Sequence, residues 1–162
     1  KPTGVPDFMA FIVEPIYFIH APKEVMMIYS SDAQTRHVYM NVPHSNNPKP
    51  SWYGESVGHW EGNTLVVDTI GMNTKSFVDN YRTPHTTQLH AVERFRMIND
   101  GKSPEVKIWV EDPGAFTTPW NAIQRYRRMD TGPMPEVVCA ENNGDHFNQN
   151  LIAMPTADRR DF

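Results

Sequence analysis

Short runs in which apolar and polar side chains alternate fill this chain, and a 3.6-residue apolar period is almost absent. Between the runs stand 14 prolines and 9 glycines, the residue types that end strands and make turns. IYFIHAPKEVMMIYS (16–30) is two strands around a turn at Ala21-Pro22-Lys23, and SSDAQ (30–34) turns the chain into TRHVYMNV (35–42). PHSNNPKPSWYGES (43–56) has the composition of a loop. SVGHWEGNTLVVDTIG (56–71) is a hairpin with its turn at Glu61-Gly62-Asn63. QLHAVERFRMI (88–98), EVKIWVED (105–112), NAIQRYRRMD (121–130) and EVVCAEN (136–142) complete the series. MNTKSFVDNYRTPHTT (72–87) has no strand pattern and leaves room for a short helix near 74–80, and residues 143–162 make a polar tail.

Strands joined by tight turns pair with their neighbours, and a long meander must curl or leave its edges open. The expected fold is therefore all-β: an antiparallel up-and-down meander of about eight or nine strands closing into a lipocalin-like barrel, one domain over 1–162.

Composition narrows the function classes. Apolar residues at 39% and charged residues at 21% are the balance of a folded domain. A net charge of −4 without a basic block argues against nucleic acid, and no apolar run is long enough to span a membrane. Cys139 is the single cysteine, so neither an internal disulfide nor a Cys-rich metal site is available, and it is expected as a buried small apolar residue. No Walker loop or dinucleotide fingerprint is present, and no strand-to-helix context surrounds GES (54–56) to make a nucleophile elbow.

Alternation sorts the strand faces. Leu89, Ala91, Glu93, Phe95 and Met97 share one face, while His90, Val92, Arg94 and Arg96 share the other. The two arginines mark the second face as outer, so Glu93 points inward. Leu65, Val67 and Thr69 oppose Val66 and Asp68, and Val106, Ile108, Val110 and Asp112 oppose Lys107, Trp109 and Glu111. An uncompensated carboxylate in an apolar interior costs roughly several kcal/mol. Glu93 therefore needs a partner: His85, Tyr29, Tyr81 or an arginine bent into the lumen. A β-bulge would be required to bring His90 and Glu93 to one face.

Two chemical readings of TPHTTQLHAVERF (83–95) follow. His85, His90 and Glu93 offer two imidazoles and a carboxylate, a set that suits a divalent transition metal, although H-x4-H-x2-E is no established metal spacing. Alternatively, Glu93 in an apolar lumen and His85 at its mouth exchange protons with a substrate, with His90 orienting a partner. Tyr29, Tyr81, Asp112 and Trp120 are the candidates for positioning that substrate. Against both stands a plain Glu–Arg or Glu–Tyr pair that only fixes the barrel's register.

GESVGHWEGNTLVVDTIGMN (54–73), PHTTQLHAVERFR (84–96), DPGAFTTPW (112–120) and CAEN (139–142) together resemble a group of uncharacterised bacterial proteins. Its members carry G-x-S-x-G-x-W-E-G-D-T-L-V-V-D-T-x-G-F-N, then P-H-S-x-x-L-H-x-x-E-R-F-R. This chain departs from the pattern at Asn63, Met72 and Thr86, where the group has Asp, Phe and Ser. The resemblance implies a secreted or periplasmic location and draws attention to His85, His90, Glu93, Asp112, Trp120 and Glu141.

The functional expectation is an enzyme of the lyase, isomerase or hydratase type, using His/Glu acid–base chemistry on a small molecule in the lumen. The alternatives are a lipocalin-like binding protein for a small apolar ligand, and a subunit of a homo-oligomer or larger envelope assembly docking through its outer arginines.

Overall fold

The computed structural model describes residues 4–6, 15–29, 34–79 and 81–128. They form one curled sheet of eight strands: β1 (Ile16–His20), β2 (Glu24–Tyr29), β3 (Thr35–Met40), β4 (Glu55–Glu61), β5 (Thr64–Ile70), β6 (His90–Ile98), β7 (Ser103–Glu111) and β8 (Trp120–Arg125). Each strand lies beside its sequence neighbour, as the tight turns require. The expected strand at 136–142, Cys139, Glu141 and the tail at 143–162 lie outside the described residues.

The all-β, barrel-like expectation holds, with one correction to the antiparallel meander. β3 and β4 pair parallel, through Val38↔Ser56, Tyr39↔Val57 and Met40↔Gly58. A parallel pair needs a connection long enough to return the chain to its starting end. The loop read from its prolines over 43–56 supplies that return, although its last two residues belong to β4, so the connection runs over 41–54. Gly58 makes the close approach workable: a Cβ there would lie 2.8 Å from Val38 Cγ1 and 3.0 Å from the Val66 carbonyl.

The short helix expected near 74–80 is the second correction, because the described part of it, 74–79, consists of turns and bends. Local side-chain bonds compete with helix there. The Asn73 carboxamide oxygen accepts from the Lys75 amide at 3.0 Å, and Asp79 accepts from the amides of Tyr81 and Thr83 at 2.9 and 3.0 Å.

Alternation places the core on the concave face. Val25, Met27 and Tyr29 of β2, Val38 and Met40 of β3, Leu65 and Val67 of β5, Ala91 and Phe95 of β6, and Val106, Ile108 and Val110 of β7 are all buried. The curl brings β1 across to distant strands: Phe18 meets Phe95 edge-to-face at 5.7 Å, and His20 stacks on Trp60 at 5.7 Å. Met72, Val78 and Leu89, from the segment between β5 and β6, join the same core.

A polar tie crosses this interior. Arg36 on β3 donates to Ser56 Oγ on β4 at 3.1 Å, to Thr69 Oγ1 on β5 at 2.9 Å and to Glu93 Oε2 on β6 at 2.5 Å. Ser56 and Thr69 also bond each other at 2.9 Å. Both charged side chains are fully buried. The required partner of Glu93 is thus an arginine reaching in from three strands away. Breaking a buried pair by removing one charge strands the other in low dielectric. Glu93→Gln is expected to lower stability by about 3–5 kcal/mol, and Arg36→Met by a similar amount, with the double variant losing less than the sum. Urea unfolding midpoints measure this; additive losses would show that the two side chains do not act as a pair.

Candidate functional site

The outer face of β4 to β7 carries an alternating chain of carboxylates and imidazoles. His44, from the loop over 41–54, places Nδ1 3.1 Å from Glu55 Oε1 and Nε2 3.0 Å from Asp68 Oδ1. The same Asp68 oxygen lies 2.9 Å from His90 Nε2, and His90 Nδ1 lies 3.1 Å from Glu111 Oε1. Glu55, Asp68, His90 and Glu111 stand at successive strands, β4 to β7. The register puts Asp68 opposite Val57 and Val92, diagonal to Glu55 and His90, and puts His90 directly opposite Glu111. Trp109 meets His90 edge-to-face at 5.3 Å. The site is open to solvent: the side chains of Asp68 and His90 are 39% and 28% exposed.

Carboxylates only accept, so all four contacts are hydrogen bonds only when each imidazole carries both of its protons. The electrostatics follow. The Asp68 hydrogen bond raises the His90 pKa above its ordinary value; partial burial opposes this, and the Glu111 bond adds to it. Partial burial pushes Asp68 up, but the hydrogen bonds from His90 and His44 together outweigh it and hold the carboxyl low. Glu55 is held low by hydrogen bonds from Ser45 first, whose amide lies 2.7 Å away, and then from His44.

The residues expected from sequence separate into distinct surroundings. The β6–β7 register runs unbroken from His90↔Glu111 to Ile98↔Ser103, so no bulge brings His90 and Glu93 to one face. His85 is buried in the segment between β5 and β6. Its Nδ1 donates to the Thr86 carbonyl at 2.9 Å, and its Nε2 lies 3.1 Å from Ser76 Oγ. His85, His90 and Glu93 are therefore not one cluster. Among the described residues no group of three or more His, Cys, Asp and Glu side chains is spaced to hold a metal ion.

Asp112 is inward and buried, as alternation required, but its oxygens are occupied by the loop. It accepts from Thr86 N at 2.5 Å, Thr86 Oγ1 at 2.6 Å and Gly114 N at 3.0 Å. Burial pushes its pKa up, and these bonds outweigh that and hold it low. Asp112 thus staples the PHTT and DPGAF segments together. Gly114 allows this approach, since a Cβ there would lie 2.7 Å from Thr86. Tyr29 belongs to the core and stacks on Tyr53 at 6.0 Å. Trp120 packs at the core margin, edge-to-face with Phe116 at 5.9 Å. Tyr81 is 92% exposed, set outward by the Asp79 turn, and lines no interior.

Sequence reasoning missed Asp68 and Glu111, the partners of His90, and His44 and Glu55, which extend the chain from Asp68. Alternation set His90 on an outer face and set Asp68 and Glu111 opposite Leu65, Val67 and Val106, Ile108, Val110, which was the available signal. His44 gave none, because its position follows from the parallel return. The outer arginines are engaged elsewhere: Arg94 pairs with Glu61, while Arg96 and Arg125 close over Glu105.

The chain matches no protein-family model, and no curated protein or solved structure matches it significantly.

The pH dependence of stability follows from the two shifts. A raised His90 pKa stabilises the fold fully below its ordinary value of 6.5, and that contribution is lost as pH rises through the folded value. A lowered Asp68 pKa stabilises fully above 3.8, and that is lost as pH falls through its folded value. The stability gap between wild type and His90→Gln is expected to be widest between 3.8 and 6.5 and to narrow at alkaline pH. Urea unfolding across pH measures it, and a gap that stays constant into the alkaline range would contradict the assignment.

Proposed function

We propose that this protein transfers protons on a small-molecule substrate at the outer-face Asp68–His90 pair, in a reaction of the isomerase, lyase or hydratase type. The observation that carries this reading is Asp68 Oδ1 shared between two imidazole Nε2 atoms on a solvent-open face. The interior Glu93 first suggested by the sequence is committed to Arg36 and has no exposed surface.

The chemistry is a closed cycle. The Asp68 carboxylate takes a proton from substrate through Oδ2, the oxygen outside the two imidazole contacts. The His90 imidazolium gives one back at a second substrate atom. The Asp68 carboxyl then turns to present its Oδ2 proton to the vacated His90 Nε2, which lies 2.9 Å from the neighbouring Oδ1, and the starting state is restored. A general acid must hold its proton at the working pH, and the bonds from Asp68 and Glu111 raise the His90 pKa above its ordinary value. Glu111 holds the ring in orientation through Nδ1.

A non-catalytic binding role is the alternative. It is favoured by Phe18 and Trp60, which are 36% and 47% exposed on the concave side of β1 and β4. Such a rim suits a small apolar ligand. A secreted or periplasmic location belongs to the proposal and is supported by the sequence resemblance alone.

Solvent isotope exchange tests the enzyme reading without knowledge of the net reaction. Small hydroxy acids, keto acids and sugar acids are incubated with protein in D2O and followed by proton NMR. Wild type is expected to exchange a carbon-bound proton of at least one compound, and Asp68→Asn to slow this ~100-fold or more. Exchange that survives Asp68→Asn, or is lost only in Glu93→Gln, would return the site to the interior. No exchange with any compound would favour the binding role.

A further inference from the structure

The outer face of the sheet changes charge from one end of its strands to the other. Asp68, Val92 and Trp109 lie in one row across β5, β6 and β7, and the next row holds Val66, Arg94 and Lys107. The carboxylates of Glu55, Asp68 and Glu111 stand on one side of this boundary and the two cations on the other. Lys107 is directly opposite Arg94 on β6 and Ile123 on β8, so neither cross-strand neighbour is a carboxylate. Like charges placed directly opposite repel. Arg94 is neutralised by Glu61, and Glu105, two residues before Lys107 on the same face, is closed over by Arg96 and Arg125. Among the described residues no ion pair or hydrogen bond holds the exposed Lys107 ammonium. Trp109 follows it on the same face of β7, in the row of Asp68, and meets the His90 ring edge-to-face at 5.3 Å.

We propose that Lys107 holds the anionic end of the substrate, so that the proton transfers at Asp68 and His90 act on a small carboxylic acid. The inference rests on the proposed site and names its substrate class. One ammonium matches the single charge of a carboxylate and brings N–H donors to it. Charge also sets the direction in which such a molecule lies. Glu55, Asp68 and Glu111 repel its carboxylate and Lys107 attracts it, so the uncharged carbon chain crosses Trp109 toward Asp68 Oδ2. Strands about 4.8 Å apart and residues about 3.3 Å apart along each put the Cα atoms of Asp68 and Lys107 about 12 Å from each other. Two side chains and an acid of several carbons fill that span. Arg94, the other cation of the row, is engaged by Glu61, which leaves this role to Lys107.

Binding tests this without turnover. The indole N–H of Trp109 is followed by proton–nitrogen NMR while the whole chain is titrated with gluconate, glycerate and lactate, each beside its primary amide. The amides keep the carbon chain and remove the charge. Wild type is expected to bind at least one acid about fivefold more tightly than its amide at low salt, the scale of an exposed ion pair, and added salt is expected to shrink that preference. Lys107→Met is expected to remove the preference and Lys107→Arg to keep it. Equal binding of acid and amide in wild type, no binding of any acid, or a preference that survives Lys107→Met overturns the inference. Solvent isotope exchange of the same acids tells this failure from that of the catalytic reading. Acid binding through Lys107 without Asp68-dependent exchange leaves the subsite standing and removes the catalysis, whereas Asp68-dependent exchange with no preference for the acid does the reverse.

Discussion

A guanidinium buried among apolar side chains must meet a carboxylate, and Arg36 meets Glu93 from three strands away. Ser56 and Thr69 occupy the strands between, so the tie runs across β3, β4, β5 and β6. It spans the parallel β3–β4 junction, where the register holds only three residue pairs. Side chains alternate with a period of two, so a slip of one residue would exchange the inner and outer faces of a strand. Ser56 and Thr69 sit inside because their neighbours Glu55 and Asp68 sit outside. The same register that completes the interior tie aligns Glu55, Asp68, His90 and Glu111 on the opposite face. Inner pair and outer chain are two consequences of one pairing.

The run TPHTTQLHAVERF shows how little closeness in sequence says about closeness in space. Its first part, His85 and Thr86, is bound into the loops by Ser76 and Asp112. His90 opens the outer face of β6, and Glu93 lies at the centre of the interior. The run thus contributes to three separate environments. His85, His90 and Glu93 do not meet one another there.

Much of the fold was legible because turns and alternation are local signals. The 16–30 hairpin, the Glu61-Gly62-Asn63 turn and the inward aim of Glu93 needed only period and punctuation. The parallel return of β4 was not legible, since a proline-rich loop does not state which way the next strand runs. Arg36 shares the face of Val38 and Met40 by alternation, but its partner is 57 positions away and no local signal names it. The helix expected near 74–80 failed where Asn73 and Asp79 captured backbone amides. Of the candidate site, His90 was visible as an outward polar residue, and Asp68 only as a residue opposite the apolar face of its strand. The rest came from a loop and from cross-strand register, which only the folded chain supplies.

The central claim is that the chemistry of this protein resides in the outer carboxylate–imidazole chain and not in its buried Glu93. Long-range proton–nitrogen NMR of the histidine rings tests it most directly. At pH 6.5, the ordinary imidazole midpoint, the account predicts that most His90 rings carry protons on both Nδ1 and Nε2. It also predicts that Asp68→Asn removes this behaviour. A His90 ring that holds mainly a single proton at pH 6.5, indifferent to Asp68, would contradict the account.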